Sequence, residues 1–108
     1  MHESSTSHEI EIEVDGHVAA SAQISATSDP DVVRSAMHVD SGNLPAGTRT
    51  RLVDAVLDDP QVAAASHLAA CMPASDTEML AHLRERAGTV EVRGMGSTKL
   101  VDAELLHD

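Results

Sequence analysis

Residues 32–58 read VVRSAMHVDSGNLPAGTRTRLVDAVLD. Val33, Met37 and Val39 share one face if the first eight residues form a strand, and the β-branched residues favour that state. The competing possibility is a short helix opened by Ser28 and Asp31, which have the residue types of helix caps. The strand is preferred because it leaves only a short connection to the segment before it. DSGNLPAG, residues 40–47, is dense in turn formers. Leu52, Val53, Val56 and Leu57 then form one apolar stripe, with Asp54 and Asp58 off it, which predicts a helix over about 48–58 stopped by Pro60. A strand, a glycine-containing loop and a helix in this order set the direction of the rest of the chain.

Upstream, Ile10, Ile12 and Val14 alternate with Glu9, Glu11 and Glu13. Asp15-Gly16 follows, and Val18, Ala20, Ala22 and Ile24 alternate again. This pattern predicts a β-hairpin over residues 8–25, followed by a turn at ATSDPD, residues 26–31. Downstream, residues 62–72 are rich in alanine. Asp59-Pro60 could open another helix there; the preferred reading is a short turn and then a buried strand at about 66–72, ended by Pro73. Ser75 and Glu78 have the spacing of a capping box for a helix over 76–87. Met79, Leu80 and Leu83 form its apolar stripe, and Gly88 supplies the stop. A second hairpin closes the chain, with Val90 and Val92 on one strand, Gly94-Met95-Gly96-Ser97 as the turn, and Val101, Ala103 and Leu105 on the return. The order β-β-β-α-β-α-β-β predicts an α+β fold: a mixed, mainly antiparallel sheet with two helices packed on it.

The 108 residues suffice for one compact domain, taken as residues 8–108 behind a polar tail over 1–7. There is no Phe, Tyr or Trp, so the core must come from Val, Leu, Ile, Met and many Ala. Such a core is thin, and a second copy of the chain or another protein partner could add burial. The formal charge of −11, from 18 acidic and 7 basic residues, repels phosphate backbones and anionic bilayers. Neither nucleic acid nor membrane is therefore an expected partner. No stretch has the length of an apolar span and the N-terminus lacks a signal-peptide core, so a cytoplasmic location is expected. Six arginines against the single Lys99, with abundant Ala, Val, Asp and Thr, suit a high-GC genome of actinobacterial type, with an acid-rich halophile as the alternative. Cys71 has no partner for an internal disulfide and lies in an apolar run, where a small buried thiol is expected.

Chemistry-bearing patterns are sparse. Of seven histidines, no two stand four apart on a predicted helix and none joins Cys71 at zinc-finger spacing, so no metal site is expected. His38 and Asp40 are the one close His/carboxylate pair at a predicted strand end. His67, in the apolar run, is a candidate core histidine. No nucleophile elbow, phosphate-binding loop, dinucleotide fingerprint or HExxH occurs. Asp58-Asp59 marks a solvated turn, and the Glu9/Glu11/Glu13 stripe a solvated strand face that discourages edge-to-edge aggregation.

The segment that stands out is 38–51, HVDSGNLPAGTRTR. A loop leading into a helix start presents free backbone N–H groups, and Arg49 and Arg51 add positive charge in an otherwise acidic chain. Ala46, Gly47, Thr48, Arg49 and Arg51 are the candidate anion site; the alternative is an ordinary connection whose arginines pair with nearby acids. The element order, with such a loop between the third strand and the first helix, resembles the core of the GNAT-type acyltransferases over residues 8–105. The resemblance implies that the loop and helix start hold the pyrophosphate of acyl-coenzyme A and that the next strand splays from its neighbour, near residues 39 and 68, to admit the pantetheine. Against the family's Gln/Arg-x-x-Gly-x-Gly/Ala pattern, with Gly47 as the first glycine, Leu44 and Arg49 depart at its two ends. The family's N-terminal helices and a tyrosine to act as general acid are also missing.

With no catalytic constellation in sight, the sequence favours a non-enzymatic interaction or regulatory module that self-associates, without a cofactor. The alternatives are a degenerate GNAT-like domain that binds acyl-coenzyme A or transfers its acyl group, and a subunit of a larger enzyme.

Overall fold

The protein is described by a computed structural model covering residues 7–40 and 44–106. The tail expected over 1–7 lies outside the described residues except for Ser7, as do loop residues 41–43 and the last two residues. The elements run β1 (His8–Val14), β2 (His17–Ala26), β3 (Val32–Val39), α1 (Thr48–Asp58), α2 (Pro60–Ala63), β4 (His67–Pro73), α3 (Thr77–Arg86), β5 (Val90–Met95) and β6 (Thr98–Glu104). The six strands form one sheet in the order β1-β2-β3-β4-β6-β5. Only β3 and β4 pair in parallel; the other neighbours are antiparallel. The fold is α+β with a mixed, mainly antiparallel sheet, as the alternation patterns indicate.

Local chemistry explains the elements. Asp15 and Gly16 both adopt positive φ, 53° and 85°, as a two-residue hairpin turn of the primed type requires. Val32–Val39 is a strand. Asp29 and Asp31 serve the turn before it: the amide of Asp31 donates to Asp29 Oδ1 and that of Val32 to the carbonyl of Asp29.

Four details depart from the sequence reading. Pro60 does more than stop α1, because it also begins the four-residue α2, where Asp59 caps by accepting the Gln61 amide. Proline is tolerated at a first helical position, so a single residue performs both functions. The N-cap of α3 is Asp76, not Ser75; its Oδ1 accepts the Met79 amide at 2.9 Å. The stop after α3 is not a left-handed glycine, since Ala87 is the extended C-cap and Gly88 has no positive φ. In the last hairpin, Gly94 and Met95 belong to β5 and the turn is Gly96-Ser97 alone.

All helix-facing positions of the sheet converge on α1 and α3. Ile24, Leu68, Ala70, Met72, Val101 and Ala103 lie against Leu52, Val53, Val56, Met79 and Leu83, all of them buried. Alanines hold seven of the twenty buried apolar positions, so the layer between sheet and helices is thin. The opposite sheet face carries no described helix. Cys71 lies on it half-buried, and His67 is exposed there, so neither is the core residue expected. Strand alternation decides this: Leu68, Ala70 and Met72 take the core side and send 67, 69 and 71 to the other. Leu80 is half-buried at the margin of the α3 stripe, whereas Met79 and Leu83 are fully buried.

Candidate functional site

β3 and β4 pair only from Val32/His67 to Ala36/Cys71. Beyond that point each strand is held by its antiparallel neighbour. Met37, His38 and Val39 stay paired with β2, and the Asp40 amide donates to the Ala19 carbonyl at 2.8 Å. Met72 and Pro73 stay paired with β6, and the Ala74 amide donates to Ser97. The two parallel strands therefore part at their carboxyl ends. The strand before α1 and the strand before α3 both end there, so both long helices begin at the mouth of the gap. Ligands of open sheets collect at such a place, because it combines strand carboxyl ends with helix amino ends.

A cavity of about 360 Å³ occupies the mouth, walled by Val39, Asp40, Arg49, Pro73 and the Ser75–Glu78 start of α3. Its electrostatics are mixed. Asp76, whose carboxylate is 4% exposed, caps α3 and accepts from Arg49 Nε at 2.9 Å, tying the first turn of α1 to the first turn of α3. Lys99, itself buried, donates from Nζ to the Asp76 carbonyl at 2.5 Å. Asp76 is thus held from three sides, while Asp40 and Glu78 leave carboxylates on the wall.

The residues singled out from the sequence do not all meet. Gly47 is the α1 N-cap in the left-handed conformation, φ 88°, and no side chain caps the helix. Thr48 is buried and donates its hydroxyl to the Pro45 carbonyl, so it braces the loop. The first i→i−4 bond of α1 is Arg51 N–H to Gly47 C=O, at 2.9 Å; the amides of Arg49 and Thr50 precede it. Arg49 reaches the cavity but is bound to Asp76. Arg51 and Ala46 are exposed and line no part of the cavity. Two residues apart on a helix is about 200°, so Arg49 and Arg51 cannot share a face. The sequence reading missed the Ser75–Glu78 half of the wall. The Ser-Asp-Thr-Glu run carried the signal, but it was absorbed into a capping box displaced by one residue.

A second polar cluster joins α1 and α3 outside the cavity. His82 Nε2 lies 2.7 Å from Asp54 Oδ1, and Arg86 donates to Asp54 at 2.8 Å and to Asp58 at 3.2 Å. The hydrogen bonds from His82 and Arg86 hold the Asp54 carboxyl below its usual value, and those to Asp54 and Asp58 raise Arg86. His82 is therefore a bridging residue rather than a solvated one. Among the described residues, no three His, Cys, Asp or Glu side chains are grouped to hold a metal ion. No described helix is long and apolar enough to cross a membrane.

The fold is that of the GNAT-type acyltransferases, with the parted parallel strands the sequence resemblance implied, at residues 37–39 and 72–73; Leu68 itself is still paired, with Val33. No family sequence model and no curated protein sequence matches the chain. Solved structures do. An N-acetyltransferase from Staphylococcus aureus Mu50 superposes with a TM-score of 0.62 at 15% identity, over 90% of this chain and 66% of that one. A GNAT-family acetyltransferase from Streptococcus pneumoniae gives 0.66 at 10%, over 96% and 69%. A putative acetyltransferase from Salmonella typhimurium, solved with its cofactor acetyl-CoA, gives 0.62 at 16%, over 89% and 62%. The chain thus spans about two-thirds of the length of the structures it matches. Fold neighbours that are acetyltransferases overturn the expectation of a non-enzymatic module, which rested on the lack of a sequence motif.

Proposed function

We propose that the chain is a GNAT-like domain that binds acyl-coenzyme A and passes its acyl group to an amine. The observation that carries this reading is the parting of β3 and β4 after Ala36/Cys71, beside a helix start with no side-chain cap. The donor set suits the group. The backbone N–H groups of Arg49 and Thr50 at the start of α1 can donate to a diphosphate, with Arg51 adding charge from solvent. Backbone groups along the parted edges of β3 and β4 can bond the amides of a pantetheine arm. Bound acyl-coenzyme A would supply the thioester carbonyl as electrophile.

The remaining work falls to the chain. Asp40 and Glu78 on the cavity wall favour a cationic acceptor over an anionic one. The same acids oppose a diphosphate, so its contacts belong at α1 and not at α3. His38 stands two residues beyond the last β3–β4 pair, exposed on the sheet face away from the helices. Asp40, on the cavity wall, is the group that would take the proton an attacking ammonium must lose. The test is the thiol released from acetyl-coenzyme A with a set of cationic primary amines. Turnover that falls by about 10²-fold or more in Asp40→Asn, with coenzyme A affinity kept, supports the reading. Failure to bind coenzyme A at millimolar concentration overturns it.

A further inference from the structure

We propose that two copies of the chain join through β5, edge to edge and antiparallel, in a register centred on Val92. Among the described residues the sheet ends in two unpaired edges, β1 and β5, and they differ in kind. β1 presents Glu9, Glu11 and Glu13 and is broken by a register shift at Ile12/Glu13. Both features reject a second strand. β5 has neither defence: it is straight in register along all six residues, with Val92 41% exposed and Met95 55% exposed. No described helix packs over it.

The hydrogen-bond phase of β5 selects the register. The two-residue turn makes Met95 and Thr98 the first bonded pair with β6. By alternation Arg93 and Glu91 also bond inward, so the N–H and C=O groups of Val90, Val92 and Gly94 point outward. An antiparallel copy centred on Val92 sets Val92 against Val92 and Val90 against Gly94, and every outward group finds its partner. The same register sets Glu91 of each copy opposite Arg93 of the other, twice, at the closer non-bonded spacing. Neither side chain has an ion-pair partner among the described residues of its own chain. Glu91 instead lies directly across from Asp102, with Glu104 on the same face, and an arginine from a second copy offsets that repulsion. A glycine at position 94 leaves the flank open, since a Cβ there would meet nothing within 4 Å. The contact is isologous, so it closes at two copies.

Sedimentation velocity with interference optics tests the assignment, because a chain without Trp or Tyr barely absorbs at 280 nm. Wild-type protein should sediment at twice the chain mass of 11.3 kDa at tens of micromolar. Arg93→Glu puts four carboxylates in two facing pairs and should raise the dimer dissociation constant by about tenfold or more. Glu91→Arg alone should do the same by opposing arginines. The double exchange Glu91→Arg with Arg93→Glu restores both pairs and should restore the dimer, with circular dichroism unchanged throughout. A monomer at every concentration overturns the proposal. So does a dimer that Arg93→Glu leaves intact, or single-variant losses that the double exchange does not repair.

Discussion

Replacing Asp76 by alanine removes two contacts at once, and their sizes can be set from the geometry. The first is the cap of α3, a 2.9 Å bond from the Met79 amide. Loss of such a cap costs about 0.5–2 kcal/mol. The second is the ion pair with Arg49. A fully buried pair broken on one side would cost about 3–5 kcal/mol. Arg49, however, is 32% exposed and can turn its guanidinium to water. Its share is therefore closer to the upper range for solvated pairs, about 1 kcal/mol. Asp76→Ala should cost about 1.5–3 kcal/mol in all. Asp76→Asn keeps an oxygen for the Met79 amide and loses only the charge, so it should cost about 1 kcal/mol. Urea unfolding followed by far-ultraviolet circular dichroism reads the difference. At a slope of about 1–1.5 kcal/mol/M the alanine midpoint should fall by about 2 M and the asparagine midpoint by less than about 1 M. Equal shifts for the two variants would mean that the cap contributes nothing, and an unmoved alanine midpoint would refute the role given to Asp76 altogether.

Leu83→Ala should destabilise by about 2–5 kcal/mol and Leu80→Ala by clearly less, about 1–2, because Leu83 is fully buried and Leu80 is at the margin; urea midpoints of the two variants check the order. Asp54, held below its ordinary 3.8 by His82 and Arg86, contributes stability that is present above the unfolded value and is lost as pH falls from about 5 through the folded value. With Asp54 45% exposed the effect is small, and Asp54→Asn should flatten that acid limb of the stability curve without changing its neutral end. Lys99→Met should cost more than replacement of an exposed lysine, since it leaves the Asp76 carbonyl without its buried donor; thermal unfolding compares it with Arg84→Met on the exposed side of α3.

The strands and long helices were legible because their patterns are local. Alternation around Asp15-Gly16 sets one hairpin, and the Leu52–Leu57 stripe sets α1. The short α2 was not, because Pro60 can end one helix or begin another and only the capping by Asp59 decides. The thiol of Cys71 was misplaced because an apolar run in a strand looks the same on both faces; only its phase relative to Leu68 and Met72 sends it outward. Half of the candidate site was visible as the loop before α1. The other half depends on contacts far apart in sequence: Asp76 reaches Arg49 across 27 residues, and the gap exists because β3 and β4 follow different neighbours. No spacing within 38–51 reports that Arg49 is already taken. Function was misjudged for a related reason. The ligand contacts proposed above run through backbone groups and parted strands, and such contacts leave little trace in side-chain motifs.

The reading of this protein as an acyl-coenzyme-A domain rests on ligand entry where β3 and β4 part. Amide-resolved NMR during titration with coenzyme A tests it most directly. The expected result is saturable shifts at Arg49, Thr50 and Arg51 in the first turn of α1, together with His38, Val39 and Met72 along the parted strands. The amides of the distal β5–β6 turn, Gly96 and Ser97, should stay still. Unmoved amides at both α1 and the strand ends under millimolar coenzyme A would contradict the account, as would saturable shifts confined to any other part of the sheet.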